Sequence, residues 1–114
     1  MSLTREQVLD MLAIARSQGH APDFAAANLQ RLDLADVDLR GADLRGADLR
    51  WTSLCRANLA NADLSSANLQ GANLQGANLG GANLQQVNLH RADLRAAYLV
   101  DASLDGTDIS RSVR

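Results

Sequence analysis

Leucine recurs at every fifth position from residue 29 to residue 104. Phe24 extends the series at one end and Ile109 at the other, giving eighteen centres without a break. Two residues before the centre, 12 of 18 positions are Ala, and immediately before it 15 of 18 are Asp or Asn. The two residues after each centre vary, so the unit is A-(D/N)-L-x-x. A period of five suits neither regular element. On an α-helix five residues advance about 500°, so successive leucines drift by about 140° and draw no stripe. On an unbroken strand side chains alternate faces, and an odd period throws each leucine opposite the last. The leucines share one interior only if the backbone turns a corner in every unit. The pattern predicts a coil.

The first twenty-one residues follow a different rule. Thr4 and Gln7 form a T-x-x-Q capping box, and Val8, Leu9, Leu12 and Ala15 predict an apolar helical face over residues 4–18. Gly19 stops that helix, and Pro22 opens the repeats. The expected organisation is a capping helix and linker over 1–21, the repeats over 22–111, and a tail over 112–114. Phe24, Leu32 and Val37 are bulky for their repeat positions and are expected to meet the helix. A solenoid end exposes both its core and an unpaired backbone edge, so a cap is needed there. At the other end too few residues remain for a second helix. Either charges such as Asp101, Asp105, Asp108 and Arg111 guard that edge, or a second subunit covers it.

Composition narrows the picture. Apolar residues make up 46% of the 114, but aromatics only 3%, so the core must be built from small aliphatic units. The net charge of −2 gives no overall pull toward nucleic acid or acidic membranes. Cys55 is the sole cysteine, which excludes an intrachain disulfide. No apolar run approaches the roughly 18 residues of a membrane span, and no signal-peptide pattern stands at the N-terminus. A cytoplasmic protein is the expectation.

On these units, residues 22–111 closely resemble the pentapeptide-repeat family. The resemblance implies an all-β solenoid: a right-handed quadrilateral β-helix with four units per coil, here about 4.5 coils, behind a short N-terminal capping α-helix. One inward column is then Phe24, Leu44, Leu64, Leu84 and Leu104, and the next is Leu29, Leu49, Leu69, Leu89 and Ile109. Glycines 41, 46, 71, 76, 81 and 106 fall two residues after a centre, where a type II corner calls for positive φ. Corners with Arg, Trp, Gln or Ser at that point are expected to use another turn.

In this register one outward column reads Arg31, Trp51, Gly71, Arg91 and Arg111, with Arg50 and His90 beside it. Arg and Trp are the residues most enriched at binding hot spots, so this basic ridge is the candidate interaction site. The plainer account is that free surface positions collect arginines for solubility. Tyr98 and Val100 stand where polar residues are routine, near the open end, and are the candidate self-association pair. Residues 64–89 carry no charge, as near-consensus repeats would. The column Asp23, Asp43, Asp63 belongs to the repeat and is expected to brace corners by hydrogen bonds rather than hold a cation.

No catalytic, cofactor or metal site is expected. His20 and His90 lie far apart, and Cys55 has no ligand-motif neighbour. The glycines open no helix and so form no phosphate loop. Many pentapeptide-repeat proteins are bacterial, and the resemblance points to a non-enzymatic scaffold or protein-interaction module. Its partner would be an unidentified protein or a second copy joined at the C-terminal end, not nucleic acid or membrane. One branch of the family resembles B-DNA in shape and charge and binds type II topoisomerases, protecting them from quinolones. This sequence departs from that branch in having about half the coils, no protruding loop and only 11 Asp against 8 Arg over 22–111. DNA bears a charge about every 1.7 Å. Only Thr52 and Thr107 occur in the repeats, both expected inward, so an ice-binding threonine array is absent.

Overall fold

The computed structural model describes residues 2–114. Parallel bridges join the residue before each centre to the one twenty positions on: Asp23 to Asp43, Asn28 to Asp48, Asp33 to Ser53, Asp38 to Asn58, and so to Asp93 with Val113. A coil therefore holds twenty residues and has four bridged sides. The leucines point inward on all of them. Centres 24 to 89 are at most 1% exposed, and the alanines two residues before them are buried from Ala42 to Ala92. A buried Leu contributes about 1.5–3 kcal/mol, so a core nearly free of aromatics suffices when every coil repeats it. At the last coil the burial fails: Leu104 is 44% exposed and Ile109 39%.

Hydrogen bonds between coils follow one scheme. In repeats with a coil after them, the centre and the second residue after it send their N–H groups to that coil, as Leu44 to Asp63 O (2.7 Å) and Gly46 to Ser65 O (2.9 Å). The residue before the centre sends its own back, as Asp43 to Pro22 O at 2.8 Å. Each repeat thus offers two N–H groups and one carbonyl forward, and one N–H and two carbonyls backward. Within the repeat, every Asp or Asn before a centre accepts from the N–H two residues on, as Asn73 does from Gln75 at 3.0 Å. This is the local Asx bond that favours turns, and it takes up the carboxylates of Asp23, Asp43 and Asp63.

All eighteen corners share one backbone. The second residue after each centre has positive φ, from 57° at Arg111 to 71° at Gly106. The expectation of a different turn at non-glycine corners is therefore corrected: Trp51 (60°), Arg56 (58°), Ser66 (61°) and Gln86 (62°) adopt the conformation of the glycines. Left-handed backbone costs an ordinary residue about 1–2 kcal/mol. It persists because it aims the corner N–H at the next coil, as Trp51 N–H to Gln70 O at 3.0 Å. It also closes the turn bond from three residues on, as Thr52 N–H to Leu49 O at 3.2 Å.

The helix α1, Arg5–Ser17, covers the first coil. Thr4 caps it in a complete capping box with Gln7, and Gly19 leaves it at φ 71°. Val8 and Leu12 are buried in one core cluster with Phe24 and Val37, with Leu32 packed against it. Leu9, expected on that face, is 38% exposed, because it stands about 100° round the helix from Val8. The cap also replaces missing donors. Carbonyls of the first coil have no earlier coil to receive from, and side chains serve instead: Arg5 donates to Asp33 O, and Arg16 to Arg40 O (2.9 Å) and Asp38 O (3.3 Å). On another side Leu3 N–H donates to Asn28 O at 3.1 Å.

Candidate interaction ridge

Corner residues twenty apart stand one above the other along the solenoid, about 4.8 Å apart per coil. The column Arg31, Trp51, Gly71, Arg91, Arg111 is therefore a real edge of the prism, and the structure brings all five expected positions together. All but Gly71 are exposed. Trp51, 46% exposed, lays its indole across Gly71 of the next coil: a Cβ built on Gly71 would fall against Cε3, Cζ3 and Cδ2 of the ring. The same lean recurs where a large corner side chain precedes a glycine by twenty residues, as Asn61 over Gly81 and Gln86 over Gly106. Gly71 is thus the seat of the tryptophan, held open by its missing side chain.

Charge on the solenoid is distributed unevenly. Four D-L-R sequences close on themselves: Arg40 with Asp38 (2.7 Å), Arg45 with Asp43 (2.6 Å), Arg50 with Asp48 (2.7 Å) and Arg95 with Asp93 (2.7 Å). Residues i and i+2 of an extended segment share a face, so each pair forms a two-pronged contact in which Nε and Nη2 both donate. The guanidinium hydrogen bonds hold these four carboxyls below the ordinary carboxylate range. Arg56 pairs across coils with Asp36 at 2.9 Å. Five of the eight arginines between residues 22 and 111 are neutralised in this way. The remaining three, Arg31, Arg91 and Arg111, form no ion pair among the described residues, and all stand on the Trp51 corner. Arg50, beside the ridge, lends shape to it but no free charge.

His90 joins the ridge through its neighbours. Its Nδ1 lies 2.8 Å from Ser110 Oγ, and Arg91 Nε donates toward its Nε2 at 3.3 Å. Asp108 accepts from Ser110 N–H at 2.9 Å, and hydrogen bonds from Ser110 lower its pKa. The arrangement orders the lower ridge.

Tyr98 and Val100 lie elsewhere, on the fourth side near the open end, at 54% and 53% exposure. The Tyr98 ring packs over Gly80, where a Cβ would come within 2.9 Å of Cε2. With Leu104, Ile109 and Val113 (47% exposed) they make the C-terminal end the most apolar exposed part of the solenoid. Leu104 and Ile109, expected inward with the rest of their columns, lose that cover because no further coil of the described residues lies over them. Two shallow grooves flank α1. One of about 400 Å³ lies between Leu9, Arg16 and Val37, and one of about 290 Å³ between Ile14, His20 and Asp23.

The family model for pentapeptide repeats matches eight copies in this chain, over residues 23–54, 42–81 and 72–111. No curated protein gives a match. Among solved structures, a pentapeptide-repeat protein, Rfr23, from the cyanobacterium Cyanothece 51142 is 37% identical with a TM-score of 0.52. The alignment covers 81% of this chain and 63% of that one. Alr5209, a pentapeptide-repeat protein from Nostoc PCC 7120, is 34% identical over 92% of this chain and 94% of its own, with a TM-score of 0.44. A trypsin-treated form of QnrB1, a plasmid-mediated fluoroquinolone resistance protein, is 25% identical with a TM-score of 0.69. That match covers 79% of this chain and 46% of QnrB1. The chain thus spans less than two thirds of the length of Rfr23 and about half of QnrB1. The shared fold is the right-handed β-helix.

Proposed function

We propose that this chain, which belongs to the pentapeptide-repeat family, works as a non-enzymatic interaction module whose contact surface is the Trp51 corner. One observation carries the reading: the three arginines of the repeats that no aspartate neutralises all stand on the corner that carries the chain's single tryptophan. A scatter of arginines kept for solubility has no reason to leave its free charges on one edge in four. The Asx-braced frame beneath fixes the corner backbone without help from a ligand, so contact need order only the side chains. Affinity capture from the native organism with the wild type and with a Trp51→Ala/Arg91→Ala variant tests it. Partners identified by mass spectrometry should be lost from the double variant. Equal retention of every partner would sink the reading.

Two further readings have observations of their own. Exposed Leu104, Ile109 and Val113, with Tyr98 and Val100 beside them, favour self-association at the C-terminal end; sedimentation at several concentrations should then separate Tyr98→Asp from the wild type. The likeness to QnrB1 favours topoisomerase binding, but the repeats carry only three more Asp than Arg. The unpaired charges of the ridge are cationic, opposite to DNA. Protection of gyrase from ciprofloxacin in a supercoiling assay would reinstate that reading.

A further inference from the structure

We infer that the ridge accepts an extended acidic peptide of about seven residues with an apolar side chain near its middle. The inference rests on the ridge being a contact surface and names the chemistry of what it contacts. Its warrant is the contrast among the four corners. The adjoining corner sets Asp36 against Arg56 at 2.9 Å, and the other two hold a single charge between them, Asp101. Only this corner stacks like charges, with Arg91 and Arg111 in adjacent coils about 4.8 Å apart. Like charges so placed repel unless a partner's anions lie across them. Trp51 stands two coils from Arg91, with Arg31 beyond it. Its ring is seated on Gly71 with almost half its surface open, which suits contact with an apolar side chain flanked by carboxylates.

Length follows from the same geometry. The column from Arg31 to Arg111 covers four coil steps, about 19 Å, and a strand rises about 3.3 Å per residue, so about seven residues span it. A nucleic acid strand fits less well. The ridge is one residue wide, and the sides it joins carry Asp33 and Asp108, both exposed. A phosphate chain with its dense, regular charge would meet these carboxylates, whereas a peptide places its anions only where the arginines stand.

The chain's single tryptophan makes the test direct, because Trp51 emission reports the ridge alone. The probe is a blocked heptapeptide of two glutamates, alanine, leucine, alanine and two glutamates, titrated beside its glutamine and lysine counterparts and a short oligothymidylate. The expected result is a saturable emission change with the glutamate peptide and none with the glutamine peptide. The Arg91→Ala/Arg111→Ala variant should bind the glutamate peptide at least about fivefold more weakly. The Arg91→Glu/Arg111→Glu variant should prefer the lysine peptide, an exchange that a merely unfolded protein would not make. Equal binding of the glutamine peptide, tighter binding of the oligothymidylate, or no saturation would overturn the acidic-peptide assignment. If a neutral or basic peptide instead changes the emission in a way that Arg91→Ala/Arg111→Ala leaves intact, the corner stands as a surface while its anionic chemistry falls. Calorimetric binding of the glutamate peptide with Trp51 emission unmoved would place the contact off the ridge and overturn both.

Discussion

Substituting Gly71 by Ala separates two effects that a glycine usually confounds. At φ 69° an alanine must adopt left-handed backbone, costing about 1–2 kcal/mol, of which about 0.4–1 kcal/mol is returned by a less flexible unfolded chain. Gly46, at φ 66°, offers the matched control, because a Cβ there meets nothing within 4 Å. At Gly71 the Cβ falls against the six-membered ring of Trp51, and the indole must lift away. About half of the ring is now covered. Exposing a further ~50 Å² of it at roughly 25 cal/mol per Å² removes about 1.3 kcal/mol. Gly46→Ala should therefore cost between about 0 and 1.6 kcal/mol, and Gly71→Ala about 1.3 kcal/mol more. Denaturant unfolding followed by circular dichroism measures the difference, and Trp51 emission should shift red in Gly71→Ala only. Equal midpoints, or emission spectra that coincide, would refute the seating of the indole on Gly71.

Other perturbations follow from the same geometry. Leu64→Ala, at a fully buried centre, should cost about 2–5 kcal/mol, whereas Leu104→Ala, at 44% exposure, should cost less than half as much; thermal unfolding ranks them. Replacing Arg16 by Ala removes exposed donors from Asp38 O and Arg40 O and should destabilise by about 0.5–1.5 kcal/mol, with amide exchange quickening first in α1 and the first coil. Asp38, Asp43, Asp48 and Asp93 titrate below their ordinary value, chiefly through hydrogen bonds from Arg40, Arg45, Arg50 and Arg95. Their contribution is then complete above the unfolded value of about 3.9 and is lost as the pH falls through the lower folded values. Unfolding midpoints should drop below about pH 4, and less so in an Arg45→Ala/Arg95→Ala variant.

Much of this architecture is legible in the chain, for identifiable reasons. The period of five forces corners and an inward leucine whatever the number of sides. An Asp or Asn before a centre announces its own turn, since its side-chain Oδ1 accepts from the amide two residues on. The capping box at Thr4 and Gln7 is a local device and reads locally. The corner conformation is legible only at the glycines, because Trp51 or Arg91 alone gives no hint of positive φ. The ladder imposes it, overriding residue preference. At the ridge, the twenty-residue register aligns Arg31, Trp51, Arg91 and Arg111, but whether a carboxylate compensates their charge depends on which arginines have partners. The spacing of Asp and Arg in D-L-R holds that signal, since two residues apart in extended chain means the same face. The seat on Gly71 depends on which way corner side chains lean, which no residue pattern states.

The unequal traffic of hydrogen bonds between coils gives the whole prism a direction, like a row of magnets laid nose to tail. Its starting face is rich in acceptors, which is why two arginines and a stray amide lie across it. Its finishing face is rich in donors: the amides of Leu99, Leu104, Ile109 and their corner neighbours find no acceptor among the described residues. Two such faces brought together by a twofold axis would meet with donors in excess, one carbonyl for every two N–H groups. A symmetric pairing at that end must therefore draw chiefly on its aliphatic side chains, while a continuing backbone sheet demands an arrival of the opposite sense.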